Sequence, residues 1–163
     1  DGLNPPRRIE IESAKLIDGN DFDKYDIDVI QKPPLYPPVL TLQSATNEEN
    51  TIEERFLYFS YRYKYKHGEY SALSPFSEVA FFPKSFSLDF STGLNKSMVN
   101  ANGSVSIQFD TGSKNVTDVE LVFKESNSNV VYVVESINKE DESYANNATQ
   151  NFLFKNSKIY KKE

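Results

Sequence analysis

The chain has 163 residues, a formal net charge of −6 at pH 7 and no cysteine. The acidic balance argues against nucleic acid as the main partner, and the lack of cysteine excludes disulfides, thiol catalysis and cysteine-ligated metals. Because only 38% of the residues are apolar, and ten tyrosines and twelve phenylalanines stand beside no tryptophan, the core must depend on aromatic packing.

Residues 1–32 are predicted to form an extended N-terminal arm. Within it, residues 7–12 alternate polar and apolar side chains as a short strand does. The acidic run of residues 18–28 does not fit the EF-hand loop, because an apolar side chain falls at its fifth position, and a solvated loop is favoured over a calcium site. The only methionine is Met98, so Asp1 is not a translation start, and we expect a processed product or a piece of a longer protein.

Residues 33–96 are predicted to form a first sandwich unit. The proline-rich stretch of residues 32–38 is expected to be a rigid, extended linker, and residues 39–42 suit the first strand. A long hairpin is predicted over residues 55–82. Its second strand contains Pro75, which cannot donate to a ladder, so that strand is expected to be bulged or to lie at a sheet edge.

The first strand of this predicted hairpin carries the clearest pattern in the sequence. Its side chains alternate with period 2, which is typical of a strand with one buried and one solvated face. The chain then turns at His67, Gly68 and Glu69. The predicted core face consists of Leu57, Phe59, Tyr61, Tyr63 and Tyr65, and the opposite face carries Ser60, Arg62, Lys64 and Lys66.

Residues 97–163 are predicted to form a second sandwich unit. Strands are expected at residues 104–109, 119–123 and 130–134, each bounded by turn residues. The inward-facing positions predicted here are Val105, Ile107, Phe109, Val119, Leu121 and Phe123. Short strands separated by turn signals over the whole chain indicate an all-β sandwich protein of about nine or ten antiparallel strands.

The pattern is weakest between residues 83 and 102. We predict one short strand at residues 86–90 and no helix, since the best helical candidate, residues 83–93, lacks a stripe of period 3.6. The alternative to two units is a single larger sandwich in which residues 55–82 pack on the strands of residues 104–137.

Candidate chemistry is sparse. The single histidine, His67, lies in a predicted exposed turn. Without a second histidine or a cysteine a zinc site has too few of its usual ligands, and a lone histidine in an exposed turn gives little support to a Ser-His-Asp triad. The tyrosine-rich strand could be an aromatic and basic platform for glycans or single-stranded nucleic acid, but its alternation separates the rings from the cations and favours a core role. We therefore predict no enzyme activity, no metal and no cofactor. No apolar stretch reaches the roughly 20 residues of a membrane-spanning helix.

The hairpin resembles the last two strands of a fibronectin type III domain, in which a tyrosine-bearing strand turns at Gly-Glu into a Ser/Pro-rich strand. The whole chain also resembles large tail structural proteins, of the muzzle or nozzle type, from crAss-like and related short-tailed phages of Bacteroidetes. The matching segments occur in the same order and comprise residues 1–9, 30–38, 61–77, 122–129 and 154–160.

The resemblance implies fibronectin type III or immunoglobulin-like sandwich units and a structural role without catalytic residues. The implied place is the virion tail, packed around the channel through which DNA leaves. The implied partners are copies of the chain and other tail proteins, with transient passage of DNA and no specific DNA binding. The alternative function is an adhesin or carbohydrate-binding sandwich, with an extracellular or bacterial-surface location.

Overall fold

The computed structural model describes residues 6–9, 11–16, 27–44, 52, 55–97, 102–155 and 160–163. Within these residues the regular structure consists of seven strands and one short helix. The elements in chain order are α1 (Ile11–Leu16), β1 (Val39–Ser44), β2 (Leu57–Tyr65), β3 (Asn102–Asp110), β4 (Val116–Glu125), β5 (Val131–Asn138), β6 (Thr149–Phe154) and β7 (Lys161–Lys162).

The strands form two antiparallel sheets. One sheet has the order β1-β3-β6 and the other has the order β2-β4-β5-β7. The predicted all-β class is confirmed, and the two sheets are consistent with a β-sandwich. The predicted count of nine or ten strands is wrong for the described residues, which contain seven, because the segment after β2 and the segment around residue 88 do not form regular ladders.

The core lies between the two sheets and is largely aromatic. Phe154 of β6 packs its ring 5.1 Å from Phe59 of β2 and 5.6 Å from Phe123 of β4, and Tyr61 lies 6.2 Å from Phe109 of β3. Ring pairs at these distances add to the free energy gained by burying apolar area. The structure places all eleven predicted core residues in this buried cluster: Leu57, Phe59, Tyr61, Tyr63, Tyr65, Val105, Ile107, Phe109, Val119, Leu121 and Phe123.

Both sheets combine strands from the two predicted units. β1 and β2 lie within residues 33–96, and each pairs with a strand from residues 97–163. Leu40 faces Ile107 in one sheet, and Phe59 faces Phe123 in the other. The strand pairs therefore cross the predicted boundary at residue 96.

Two local predictions are wrong. The predicted strand over residues 7–12 is limited to an isolated bridge between Arg7 and Asp28, and the helix α1 begins at Ile11. The sequence Ile-Glu-Ser-Ala-Lys-Leu of α1 contains several strong helix formers, which outweigh a short alternation. The predicted strand at residues 86–90 is reduced to one bridge between Leu88 and Asn95. Most of the acidic run, residues 18–26, lies outside the described residues.

Gly112 holds the connection between β3 and β4, which crosses from one sheet to the other. Its φ of +67° is rarely adopted by other residues, and a Cβ there would lie 2.9 Å from both Tyr63 Cζ and Val116 Cγ2. We expect Gly112→Ala to lower the free energy of unfolding by about 2–4 kcal/mol, through backbone strain and overpacking together. Urea unfolding measures this loss.

Gly93→Ala is the matched control for Gly112→Ala. Gly93 has a φ of +70°, but a Cβ there would have nothing within 4 Å. The control therefore carries the backbone strain without the clash, and its expected loss is about 1 kcal/mol. Equal losses in the two variants would show that the contact with Tyr63 does not matter.

Candidate interaction surfaces

The outer edge of β2 is covered by residues 70–80, which we call the serine strap. The backbone N–H groups of Ser71, Ser74 and Ser77 donate to the carbonyl oxygens of Tyr63, Tyr61 and Phe59, each at 2.8 Å. In return, the N–H groups of the same three β2 residues donate to the serine Oγ atoms at 3.1, 3.2 and 3.0 Å. Each serine thus satisfies both backbone groups of one β2 residue.

The serine strap is not a regular strand. Three of its residues span two residues of β2, or about 6.6 Å, so it advances by about 2.2 Å per residue and is more coiled than a strand. The strap lies at the edge of its sheet, and its isolated bridge joins Tyr70 to Lys64. The signal that identifies it in the sequence is the spacing of Ser71, Ser74 and Ser77 by three, a period that belongs to neither a strand nor an α-helix.

The cations on the solvent face of β2 are paired with carboxylates of β4. Arg62 lies opposite Glu120, with 2.6 Å between Nη2 and Oε1, and Lys64 lies opposite Asp118, with 3.9 Å between Nζ and Oδ2. The Arg62 guanidinium also stacks 4.3 Å from the centre of the Tyr70 ring. These pairs neutralise the face, so it does not offer the run of free positive charge on which single-strand binding depends.

The rings of Tyr61, Tyr63 and Tyr65 are buried and do not form an exposed stacking platform. The Tyr65 hydroxyl donates to the carbonyl oxygen of Lys32 at 2.7 Å, which fastens the proline-rich segment over this end of the sheet. Two small cavities, of about 200 and 280 Å³, lie beside that segment. Within the described part of the chain no cluster of acidic or histidine side chains could hold a metal ion, and His67 is exposed in its turn.

An exposed hairpin projects at residues 84–97, and we call it the apolar hairpin. Backbone N–H groups of Lys84, Asp89 and Lys96 donate to the carbonyl oxygens of Ser97, Leu94 and Ser87 at 3.1, 2.9 and 2.7 Å. Four large apolar side chains on this short element are solvent-exposed: Phe86 by 75%, Leu88 by 41%, Phe90 by 92% and Leu94 by 66%.

Side-chain hydrogen bonds hold the apolar hairpin in one shape. Asp89 Oδ1 accepts from the N–H and the hydroxyl of Ser91, and Lys96 Nζ lies 2.9 Å from Asp89 Oδ2. These bonds hold the pKa of the Asp89 carboxyl well below its usual range, and the bond from Lys96 has the largest effect. On the other arm, Asn95 Oδ1 accepts from the N–H groups of Ser87 and Ser97 at 3.2 and 3.1 Å. An element fixed in this way loses little conformational entropy when it binds.

The exposed side chains of the apolar hairpin are large enough to contribute to an interface. Covering Phe86, Phe90 and Leu94 would remove about 400 Å² of apolar surface, given roughly 150–250 Å² for each aromatic side chain. At about 25 cal/mol per Å² this is worth about 10 kcal/mol before the cost of association. Exposed apolar patches of a few hundred Å² mark interaction sites on soluble proteins.

Comparison of the chain with protein-family models, curated proteins and solved structures finds no match. The fold and the surfaces therefore define the class by themselves: an all-β protein of two packed antiparallel sheets, with one covered edge and one exposed apolar hairpin. Among the described helices, none is long and apolar enough to cross a membrane.

Proposed function

We propose that this chain is a non-enzymatic structural module that works by packing against neighbouring proteins. The observation that carries the proposal is the apolar hairpin, whose exposed rings stand on a backbone held by its own hydrogen bonds. The charged face of β2 supports the same role, because its cations are already paired within the chain. A rigid element with exposed aromatic side chains is the kind of anchor that fills a pocket in a partner.

We extend this proposal to a particular setting, a fibronectin type III-like part of a phage tail muzzle or nozzle around the DNA-exit channel. The support is the ordered resemblance of five segments along the chain to tail structural proteins of crAss-like phages. The net charge of −6 also suits a wall along which DNA passes, since like charges discourage adhesion to the phosphate backbone. The partners in this setting are copies of the chain and other tail proteins.

The setting is tested by the surrounding coding sequence and by the virion itself. We expect the chain to be encoded in a longer reading frame beside portal and capsid genes, and antibodies to it to label the tails of the corresponding particles in electron micrographs. A gene outside any phage region, or particles without label, would contradict the tail assignment. Specific binding on a glycan array would instead support an adhesin or carbohydrate-binding module.

The double variant Phe86→Ser/Phe90→Ser tests the packing role of the apolar hairpin. Because both rings are exposed, we expect the free energy of unfolding to change by no more than about 0.5 kcal/mol per site. Retention on a phenyl column and binding to neighbouring tail proteins should both fall markedly, since about 300 Å² of exposed apolar surface is removed.

Tyr36→Ser is the matched control for the hairpin variant. It removes another exposed ring, 74% accessible, from a different part of the surface. We expect this control to bind neighbouring tail proteins as the unmodified chain does. Equal loss of binding in the control and in the hairpin variant would show that general surface hydrophobicity, and not the apolar hairpin, drives the packing.

A further inference from the structure

The two sheets differ in how their edges are covered. In the four-stranded sheet the serine strap covers β2, and β7 pairs with β5 at Tyr132 and Val133. The remainder of β5 carries the charged side chain of Glu135, which discourages pairing with another strand. In the three-stranded sheet the outer edges are β1 and β6, and no described residue bonds the outward backbone groups of β6.

The edge of β6 lacks the usual features that prevent strand pairing. All six of its residues keep a regular register with β3, from Asp110 opposite Thr149 to Val105 opposite Phe154. The sequence Thr-Gln-Asn-Phe-Leu-Phe contains no charge, no proline and no glycine, and three of its residues favour strands by being aromatic or β-branched. Such an edge is a template for a further strand.

The opposite edge, β1, is protected by comparison. Pro37 and Pro38 stand directly before it and have no N–H to donate. Its register with β3 also shifts between Gln43 and Ser44. Prolines and irregular register both blunt a sheet edge. The asymmetry identifies β6 as the open edge of this sheet.

We propose that β6 pairs antiparallel with β6 of a second copy of this chain, so that two three-stranded sheets join into one of six strands. The second copy fits because the contact is neutral on both sides: the net charge of −6 is carried elsewhere, and no like charges meet across the pair. Both partners also present the same six-residue strand, so an antiparallel pair centred on Asn151 or Phe152 matches five of the six residues. This surface is distinct from the apolar hairpin, and the proposal goes beyond the proposed function.

A two-fold axis perpendicular to the joined sheet restricts the register. Facing residues must point to the same side of the sheet, so the axis passes midway between one β6 residue and the same residue of the second copy. An axis at Asn151 sets Asn151 against itself and Thr149 against Leu153. An axis at Phe152 sets Asn151 against Leu153. Thr149, Asn151 and Leu153 are the exposed residues of the strand, so these facing pairs are accessible to cross-linking.

Disulfide cross-linking of single introduced cysteines reports this register, because the natural chain has no cysteine that could form a competing disulfide. We expect purified Asn151→Cys to form a disulfide-linked dimer on mild oxidation if the axis lies at Asn151. If the axis lies at Phe152, we expect a mixture of Asn151→Cys and Leu153→Cys to form the mixed dimer. Either product supports the proposal. Cross-linking in neither experiment would overturn it.

Sedimentation of the purified chain over a concentration series tests the pairing without cysteines. We expect a monomer–dimer equilibrium whose dissociation constant rises at least about tenfold in Asn151→Lys/Leu153→Lys, since like charges then face each other across the axis. The matched control, Val39→Lys/Thr41→Lys, adds the same charge to exposed positions of β1 and should leave the dimer intact.

Three results of the sedimentation series would overturn the β6 proposal. They are a monomer at every concentration, a dimer that persists in the β6 variant, or a dimer lost equally in the β1 control. The variant Phe86→Ser/Phe90→Ser separates this proposal from the proposed function: it should retain the β6 dimer while losing adhesion to other tail proteins. A dimer that is lost only in that hairpin variant would also overturn pairing through β6.

Discussion

Raising the pH above 10 is expected to unfold this protein, with a loss of up to about 4 kcal/mol of stability for each pH unit. The cause is the row of phenols that Tyr61, Tyr63 and Tyr65 bury in the core. Burial raises the pKa of all three phenols above the ordinary value for tyrosine of 10.0. For Tyr63 the neighbouring Tyr61 and the charge of Asp110 raise the pKa further.

The sign follows from which state releases protons first. In the unfolded chain each phenol ionises near pH 10, whereas in the folded chain it keeps its proton to higher pH. As the pH rises from 10 towards the pKa that the phenols have in the folded chain, ionisation stabilises the unfolded state but not the folded state. Each phenol contributes up to about 1.4 kcal/mol per pH unit, and a total stability of about 5–15 kcal/mol is lost within a few units.

Urea unfolding at a series of pH values, followed by phenolate absorbance, measures this loss. The variant Tyr61→Phe/Tyr63→Phe/Tyr65→Phe should be less stable at neutral pH but should lose stability less steeply above pH 10 than the unmodified chain; Tyr144 and Tyr160, whose pKa values burial also raises, keep part of the alkaline loss. Tyr36→Phe, which removes an exposed phenol, should show the full alkaline loss of the unmodified chain. An unchanged slope in the triple variant would mean that other groups govern the alkaline transition.

Much of the core could be predicted because it depends on local alternation. β2 and β4 each place apolar side chains at every second position, and burial of one sheet face needs no knowledge of the partner strand. The pairing itself could not be predicted. Phe59 faces Phe123 across 64 positions of sequence, and nothing in either strand specifies that register without the other.

The serine strap and the apolar hairpin were harder to predict, for different reasons. The serine strap depends on a period of three, which matches neither a helix nor a strand. The sequence of the apolar hairpin predicts a loose connection, because polar residues and a glycine interrupt its apolar positions without a regular period. Its shape comes from side-chain acceptors, Asp89 and Asn95, that bond backbone groups nearby, and such bonds leave only a weak compositional trace.

Removing the hydroxyls of the serine strap is expected to cost about 3–9 kcal/mol of stability, enough to unfold much of the protein at room temperature. In Ser71→Ala/Ser74→Ala/Ser77→Ala, the N–H groups of Phe59, Tyr61 and Tyr63 lose their Oγ acceptors. These three β2 residues are at most 7% exposed, so little water can replace the lost bonds. Each unsatisfied buried donor costs about 1–3 kcal/mol.

The matched control for the strap is Ser85→Ala/Ser126→Ala/Ser136→Ala, which makes the same chemical change at three exposed serines. We expect its free energy of unfolding to lie within about 0.5 kcal/mol per site of that of the unmodified chain. Hydrogen exchange adds a local measurement, since the amide of Tyr61 should exchange faster in Ser74→Ala alone, while those of Phe59 and Tyr63 keep their own serine acceptors and stay protected. If the strap variant and its control had the same free energy of unfolding, the serine hydroxyls would not stabilise the protein. The N–H groups at that edge of β2 would then have to bond water instead.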